Sequence, residues 1–404
     1  MSSVARAHFI GFLLAISVHG LAEDGTNVRI LRDTWGVPHI YGKTDADTAY
    51  GLAYAHCEDD FGTIQEALLS GRSLLGSVNG ADAAPIDFMV HLLGVWDDVN
   101  AKYETDLSPK TRALCEAYAA GVNRYAERNP DEVKVSEIFP VTGKDVVVGF
   151  VFKAPFFFGL DNAVLELFGE TRRREVSQKR ASAEFDDAEA FRMAGEFFKR
   201  SMPIGSNTFG VSRARSADGS TFLAVNSHQP YTGPVAWYEC HLHSEEGWDM
   251  YGGLFPGMPV IGHGHNAQLG WAMTVNRPDL VDVYVLEMNP DNPNQYKFDG
   301  KWRDLDIKTV SIAVRVNPES EMTMKVRREV ARSVHGPVVR ADHGVYAIRY
   351  AGMGDIRQVE QWYRMNKAQS REEWLDAVRM QAISSLNVIT FPLRKVKQFD
   401  CSVD

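Results

Sequence analysis

The chain has 404 residues, enough for two ordinary domains or one large one. Apolar residues make up 45% and charged residues 24%, which is typical of a globular protein. The formal net charge of −10 argues against a nucleic-acid-binding protein, because phosphate recognition requires a basic surface.

The first 22 residues have the pattern of a secretory signal peptide. Arg6 and His8 precede the apolar run Phe9–Ser17, and Gly20-Leu21-Ala22 supplies small residues before a cut ahead of Glu23. A buried first helix is the alternative. No other stretch approaches the roughly 20 apolar residues of a membrane span. The sequence therefore predicts an exported protein, periplasmic or secreted, with no membrane span after residue 22.

The four cysteines are widely spaced, and none of them forms a CxxC pair; they are Cys57, Cys115, Cys240 and Cys401. A chain of this size does not need a disulfide framework, so buried free thiols are favoured. One bridge remains open as an alternative.

The first half of the chain is predicted to be largely helical. After a strand at Asn27–Arg32 and a turn at Asp33–Pro38, apolar residues recur at helical spacing. This pattern predicts three helices, over Asp45–Leu75, Pro109–Asn129 and Asp145–Phe158. Residues 23–170 are assigned to this helical region.

Residues 171–202 are highly charged and contain few large apolar side chains. Such a stretch is usually a solvated helix. Its position directly before a change to β pattern indicates instead a spacer that the mature protein discards. The spacer is predicted over residues 171–205.

From Asn207 onward, short runs of strand-forming residues alternate with turn-prone Gly, Pro and Asn residues. Strands are predicted at Asn207–Val211, Thr221–Val225, Pro259–Gly262, Leu269–Val275 and Val281–Leu286. Closely spaced short strands indicate antiparallel sheets. The predicted fold class is α+β, with residues 206–404 rich in sheet.

Gly205-Ser206-Asn207 is the main candidate catalytic motif, because GxSxG, HExxH and GxxxxGK[ST] patterns are absent. Ser206 opens a predicted strand directly after the spacer. If the Gly205–Ser206 bond is cut, Ser206 gains an α-amine with an ordinary pKa of about 8. That amine can accept the hydroxyl proton, so one residue carries both nucleophile and base.

A histidine array is the second candidate site, formed by His241, His243, His263 and His265. Residues i and i+2 of a strand share a face, so either pair could bind zinc. No carboxylate is spaced to complete the set. A zinc-dependent hydrolase is therefore the runner-up among enzymes.

Several motifs resemble the penicillin acylase family of N-terminal nucleophile hydrolases, which includes acyl-homoserine-lactone and aculeacin-type acylases. The resemblance runs from about residue 27 to about 388. It rests on Arg32-Asp33-x-x-Gly36-Val37-Pro38-His39-Ile40, Asp45-x-x-x-Ala49-Tyr50-Gly51-Leu52-Ala53-Tyr54-Ala55-His56-x-Glu58-Asp59, Gly205-Ser206-Asn207, Pro256-Gly257-x-Pro259-x-x-Gly262-x-Gly264-His265-Asn266-x-x-x-Gly270-Trp271 and His335-Gly336-Pro337-Val338.

The resemblance implies catalytic roles for three residues. Ser206 is similar to the family nucleophile, with its α-amine as general base. His228 occupies a position where family members have His or Gln, and its main-chain N–H is expected at the oxyanion. Val275 is expected to supply a second oxyanion N–H, since amide donors suit a developing negative oxygen.

Binding residues follow from the same resemblance. Asp279, Val281 and Asp282 resemble the family's calcium-binding run, in which two carboxylates and a carbonyl supply hard oxygen ligands. Asp161 or Glu166 is expected to complete that site. The aromatic run Phe156, Phe157 and Phe158 is expected to line the pocket for the acyl group.

The fold implied by the resemblance is the αββα sandwich of this family, with an α/β heterodimer made from one precursor. The family has a further oxyanion donor, a distal asparagine, whose position would lie beyond Asp404. Asn387, in the last family-like stretch, is not taken as its substitute. The chain is therefore predicted to be truncated at its C-terminus.

The predicted function is a secreted, self-processing amidase that cleaves a linear acyl amide, with one structural calcium ion and no organic cofactor. Acyl-homoserine lactones, lipopeptides and β-lactam side chains are the expected small-molecule substrates. His228 in place of Gln favours long acyl chains. A catalytically inactive secreted acyl-binding protein is the alternative from a different class.

Overall fold

The computed structural model describes residues 18–20, 27–168, 193, 205–276, 278–317, 322–341 and 343–392. The charged spacer predicted over residues 171–205 lies outside the described residues except for residues 193 and 205. The predicted signal peptide also lies outside them except for residues 18–20, as does Cys401.

Seven α-helices with defined bounds lie before Ser206 in the described part of the chain, with two short 3-10 helices at Pro130–Glu132 and Ser136–Ile138, and two α-helices lie near its end. The first seven are α1 (Asp45–Gly71), α2 (Leu75–Asn79), α3 (Ala84–Leu93), α4 (Val95–Asp106), α5 (Pro109–Arg128), α6 (Gly143–Phe157) and α7 (Leu160–Phe168). The last two are α8 (Gln358–Lys367) and α9 (Arg371–Val378). The three helices predicted from the sequence are confirmed as α1, α5 and α6, with small shifts at their ends.

Local signals explain where these helices begin and how closely they pack. Thr44 and Asp47 form a capping box at the start of α1, and Pro109 occupies the first turn of α5 after the Ser108 cap. A Cβ at Gly121 of α5 would lie 2.4 Å from the carbonyl oxygen of Tyr50 in α1. The two helices therefore cross at a backbone contact that only glycine permits.

Eighteen strands lie in the described residues: β1 (Val18–Gly20), β2 (Val28–Arg32), β3 (Pro38–Gly42), β4 (Ser206–Val211), β5 (Phe222–Ser227), β6 (Tyr238–Ser244), β7 (Asp249–Leu254), β8 (His263–His265), β9 (Leu269–Val275), β10 (Val281–Val285), β11 (Met288–Asn289), β12 (Asn292–Phe298), β13 (Lys301–Asp304), β14 (Asp306–Arg315), β15 (Thr323–Ser333), β16 (Gly336–Ala341), β17 (Gly344–Tyr350) and β18 (Leu386–Pro392). Together with the helices, they confirm the predicted α+β class.

The largest sheet has eight strands in the order β1-β2-β3-β6-β7-β8-β9-β18. Its strand pairs are antiparallel, as predicted, except that β3 and β6 run parallel, with Ile40 opposite Leu242. A parallel pair needs a long crossover, and here the intervening chain includes the helical region. Strands from both sides of Ser206 thus share one sheet.

Three smaller sheets complete the described architecture. Their orders are β10-β17-β16-β15-β14, β11-β12-β13 and β4-β5. The β4-β5 pair packs against β9 and β18. A Cβ at Gly210 of β4 would lie 1.9 Å from the ring of Phe391 in β18, so this glycine lets the two sheets approach closely.

The predicted strand at Pro259–Gly262 is wrong, because this segment is an irregular loop. Its apolar residues Val260 and Ile261 are fully buried, which explains the strand-like pattern. Ile261 donates its N–H to Oδ1 of Asn366 at 3.0 Å, and Nδ2 of Asn366 donates to the Ile261 carbonyl at 2.8 Å. A side-chain amide from α8 thus replaces the neighbouring strand.

Cys57, Cys115 and Cys240 are buried free thiols, as the cysteine spacing favoured. In the part of the chain that the structure describes, no helix combines the length and apolar character needed to cross a membrane.

Replacing Asn366 by alanine leaves the buried N–H and C=O of Ile261 without partners. We expect the free energy of unfolding to fall by about 2–4 kcal/mol, since each unsatisfied buried polar group costs about 1–3 kcal/mol. Urea denaturation measures the change. The control is Asn100→Ala at an exposed residue that accepts from Lys144, where the effect should stay within about 0.5 kcal/mol. Equal losses in both variants would contradict the role assigned to Asn366.

Candidate active site

Ser206 lies at the start of β4, opposite Ser227 in the neighbouring strand β5. Both serines line an elongated cavity between the sheets and helix α6. The hydroxyl of Ser206 is therefore held at the wall of a ligand-sized space by regular strand pairing.

The carbonyl oxygen of Gly205, directly before this serine, accepts two hydrogen bonds. The main-chain N–H of His228 donates to it at 2.8 Å, and Oγ of Ser206 donates at 2.5 Å. An N–H donor at this position polarises the carbonyl and would stabilise negative charge on its oxygen. The hydroxyl oxygen of Ser206 thus lies beside the carbonyl group of the bond before it.

The imidazole of His228 packs against Gly205 and contacts Asn207. Its Nε2 lies 3.0 Å from Nδ2 of Asn207. Because an amide nitrogen only donates, Nε2 accepts and Nδ1 carries the hydrogen in the neutral ring. A Cβ at Gly205 would lie 2.8 Å from Nδ1 of His228, so glycine is the residue that fits before the serine. His228 therefore contacts both residues that flank Ser206.

Val275 is the last residue of β9 and lies opposite Leu386 of β18. Both residues line the same cavity as Ser206. Beyond Val275, Nδ2 of Asn276 donates to Oγ of Ser385 at 2.9 Å and fixes the ends of the two strands together. The structure thus brings Val275 to the wall that also holds Ser206. Asn387, on the neighbouring strand, donates to Oγ1 of Thr274 at 3.2 Å.

The cavity has a volume of about 160 Å³ and a mostly apolar wall. Aromatic side chains form much of that wall, namely Phe150, Phe157, Phe158, Trp237 and Phe255. At the serine end, Oε1 of Gln229 accepts from Nε1 of Trp237 at 3.1 Å, which orients both side chains. A pocket with this lining suits an apolar acyl group.

Of the three phenylalanines at the end of α6, two line the cavity and one lies in the core. Phe157 and Phe158 line the cavity, and Phe157 stacks on Phe255 with ring centroids 5.8 Å apart. Phe156 is 2% exposed and packs edge-on against Phe152 in the core. Two of the three residues thus lie where an acyl group could contact them.

Lys153 is a cavity residue that the sequence analysis missed. It lies one helical turn before Phe157 on α6, and its Nζ donates to the Pro256 carbonyl at 3.2 Å. Burial lowers the pKa of Lys153 to about 8, because an ammonium is poorly solvated in apolar surroundings. The signal was present, since Lys153 is the only charged residue between Val146 and Phe158.

The residues expected at a calcium site lie apart from this cavity. Asp279 and Asp282 are exposed, and Val281 begins β10, beside which α7 packs. Asp161 of α7 is 8% exposed, whereas the side chain of Glu166 lies outside those the structure describes. The described residues include no group of three or more acidic, His or Cys side chains that could hold a metal ion. The calcium site stays a prediction.

The histidine array is divided between two strands with β7 between them. Nε2 of His241 lies 2.8 Å from Asp249 and Nδ1 of His243 lies 3.6 Å from it, both to Oδ1. His263 lines the cavity, and its Nδ1 accepts the N–H of Met273 at 3.0 Å. Burial lowers the pKa of His263 to about 4 and that of His265 below its usual value. Among the residues with described positions, the array forms no metal-binding group.

Comparisons with known proteins give one consistent family. The sequence model of the family described as penicillin amidase matches residues 27–391. The acyl-homoserine lactone acylase PvdQ of Pseudomonas fluorescens strain Pf0-1 is 27% identical, over 94% of this chain and 51% of that protein. The aculeacin-A acylase of Actinoplanes utahensis is 24% identical, over 92% of this chain and 49% of that protein.

This chain therefore spans about half the length of these curated relatives. Among solved structures, a thermostable penicillin G acylase from Alcaligenes faecalis in orthorhombic form aligns with a TM-score of 0.40 and 26% identity. That alignment covers 45% of this chain and 32% of the acylase chain.

The lowered pKa of Lys153 makes stability depend on pH. Lysine in an unfolded chain has a pKa of about 10.4. Between about pH 8 and that value, the unfolded state therefore binds more protons than the folded state. The contribution of Lys153 to the free energy of unfolding therefore rises with pH between these two values. Lys153→Met lacks this titration, and we expect its advantage in melting temperature near pH 7 to shrink near pH 10. A difference that does not change with pH would contradict the lowered pKa.

Proposed function

Since the chain belongs to the penicillin amidase family, we propose that it is an acylase precursor that cuts itself before Ser206 and then hydrolyses a linear acyl amide. One observation carries the proposal. The hydroxyl of Ser206 lies beside the Gly205 carbonyl, which the His228 N–H already polarises, at the wall of an apolar cavity. The serine thus has both a bond to cut and a space for an acyl group.

Self-cleavage begins with attack of Oγ of Ser206 on the carbonyl carbon of Gly205. Negative charge develops on the carbonyl oxygen, where the His228 N–H stabilises it. The C–N bond then breaks, the nitrogen takes the hydroxyl proton, and the Gly205 acyl group forms an ester with Oγ. Water hydrolyses this ester, leaving a carboxylate on Gly205 and a free α-amine and hydroxyl on Ser206.

The same serine then acts on substrate. Its α-amine, with an ordinary pKa of about 8, accepts the proton of Oγ as the oxygen attacks the acyl carbon. Main-chain N–H groups of Val275 and of the His228 region stabilise the oxyanion. The proton passes to the leaving amine, the acyl group stays on Oγ as an ester, and water releases it as the free acid. This is the chemistry of an N-terminal nucleophile.

The wall of the cavity favours an acyl group with a hydrocarbon chain. Aromatic rings of α6 and of the segment 237–255 surround the space next to Ser206, and apolar surface is buried when an acyl chain enters. Relatives named as acyl-homoserine lactone and aculeacin-A acylases point to the same class of amide. We infer a medium or long acyl chain as the group released.

Several further parts of the proposal follow from the family. They are the layered αββα sandwich, export by residues 1–22 to the periplasm or medium, and an α/β heterodimer made from one precursor. A structural calcium ion held by Asp279, Val281 and Asp282 is also proposed, and no step of the reaction involves it. An inactive acyl-binding protein is the alternative that a turnover assay separates from the enzyme.

Replacing Ser206 by alanine removes the attacking oxygen, so we expect the variant to stay uncut and inactive. The purified wild-type chain should yield a fragment that begins at Ser206, detected by intact mass spectrometry. Gly205→Ala should slow this cut by about tenfold or more, because the added Cβ displaces His228 from the carbonyl it polarises.

The double variant Gly205→Ala, His228→Ala is the matched control for that clash. It lacks the ring that the new Cβ would meet, so the main chain at residue 228 can keep its position and cleavage should partly recover. Cleavage before residue 206 in the Ser206→Ala chain would overturn the assignment of Ser206 as the nucleophile. A cut chain without turnover of any acyl amide would support the acyl-binding alternative.

The lack of a side chain at Gly149 leaves space in the cavity for the acyl chain. This glycine lines the cavity, and a Cβ placed there meets no atom within 4 Å. Leucine at this position should fill part of the space while slightly stabilising α6, because glycine is a poor helix former. We expect Gly149→Leu to shift kcat/KM towards shorter N-acyl-homoserine lactones, with a smaller shift for Gly149→Ala. An unchanged chain-length profile would place the acyl group elsewhere.

A further inference from the structure

Helix α6 presents one continuous face to the cavity. The seven residues on it recur at helical spacing and are Asp145, Val146, Gly149, Phe150, Lys153, Ala154 and Phe157. The opposite face, with Val147, Val151 and Phe152, is buried in the core. Five of these seven residues are apolar and Asp145 is paired with Arg72, so the ammonium of Lys153 is an exception on a face that otherwise fits hydrocarbon.

The charge of Lys153 has no counter-ion among the described residues of the cavity wall. Asp145 is the one acidic residue there, and Arg72 already neutralises it through contacts of 2.5 Å and 2.8 Å. Lys153 has a single described hydrogen-bond partner, the neutral carbonyl of Pro256. An ammonium has three N–H donors, so two of them have no partner among the described residues.

An uncompensated ammonium in apolar surroundings is unfavourable, and the lowered pKa of Lys153 expresses that cost. A ligand carboxylate would remove it by supplying both a negative charge and acceptor oxygens. A plain hydrocarbon chain would displace water from the cavity and leave the ammonium charge of Lys153 unpaired. The wall therefore favours an acyl group that carries an anionic group over one that is purely apolar.

We propose that Lys153 is a specificity-determining residue that binds a second carboxylate carried by the acyl group, so that the cavity prefers acyl groups of dicarboxylic acids. The preference for such acyl groups as substrates rests on the proposed function of Ser206, whereas their binding to the cavity does not. The apolar wall binds the methylene chain, and Lys153 distinguishes chains that end in a carboxylate from chains that do not.

Equilibrium binding to the full-length Ser206→Ala protein tests this without catalysis. The two probes are octanamide and suberamic acid, which have the same length and differ in one terminal carboxylate. We expect suberamic acid to bind at least about tenfold more tightly at pH 7, since a charge-assisted partner is gained. Adding Lys153→Met should abolish or reverse that preference, and Lys153→Arg should keep it.

Lys144→Met is the matched control, because Lys144 lies on the same helix, outside the cavity lining, with its Nζ on Asn100. Equal affinity for the two probes, no binding of suberamic acid, or a preference that survives Lys153→Met would each overturn the proposal. Failure of the unmodified enzyme to hydrolyse either amide, with the binding preference intact, would instead refute the proposed function and leave the role of Lys153 standing.

Discussion

The buried carboxylate of Asp45 joins three segments that are far apart in the sequence. It accepts from Oγ of Ser244 at 2.5 Å, from Nζ of Lys367 at 2.8 and 3.0 Å, and from the hydroxyl of Tyr363. Loss of Lys367 would leave the carboxylate charge buried and uncompensated, which is strongly unfavourable. This contact fixes the start of α1 against the end of β6 and against α8. Both α1 and α8 pack against α6, one face of which lines the cavity.

Local pattern was sufficient for much of this architecture. The strand predicted at Leu269–Val275 has the same bounds in the structure, because its residues are nearly all buried and flanked by turn signals. The penicillin amidase family is likewise confirmed, because its sequence model matches residues 27–391. Ser206 could be singled out from local pattern, as a strand start after a charged stretch.

Contacts between distant segments could not be predicted in this way. The loop at Val260 has the composition of a strand, and only the amide of Asn366, more than a hundred residues later, explains why it is not one. The β3–β6 pairing likewise joins Ile40 to Leu242, which are far apart in the sequence. Phe156 and Phe157 are chemically the same, yet the helix turns one to the core and the other to the cavity.

The parallel β3–β6 ladder has a consequence for any chain divided at Gly205. A cut there would divide the polypeptide but leave the sheet intact. Ile40 precedes the cut and Leu242 follows it, and the two residues lie opposite each other, fully buried, in neighbouring strands. Each half alone would expose an open strand edge and half of a core, which is a condition for aggregation. The two halves would then depend on each other for folding, and separate genes for them would need to be expressed together.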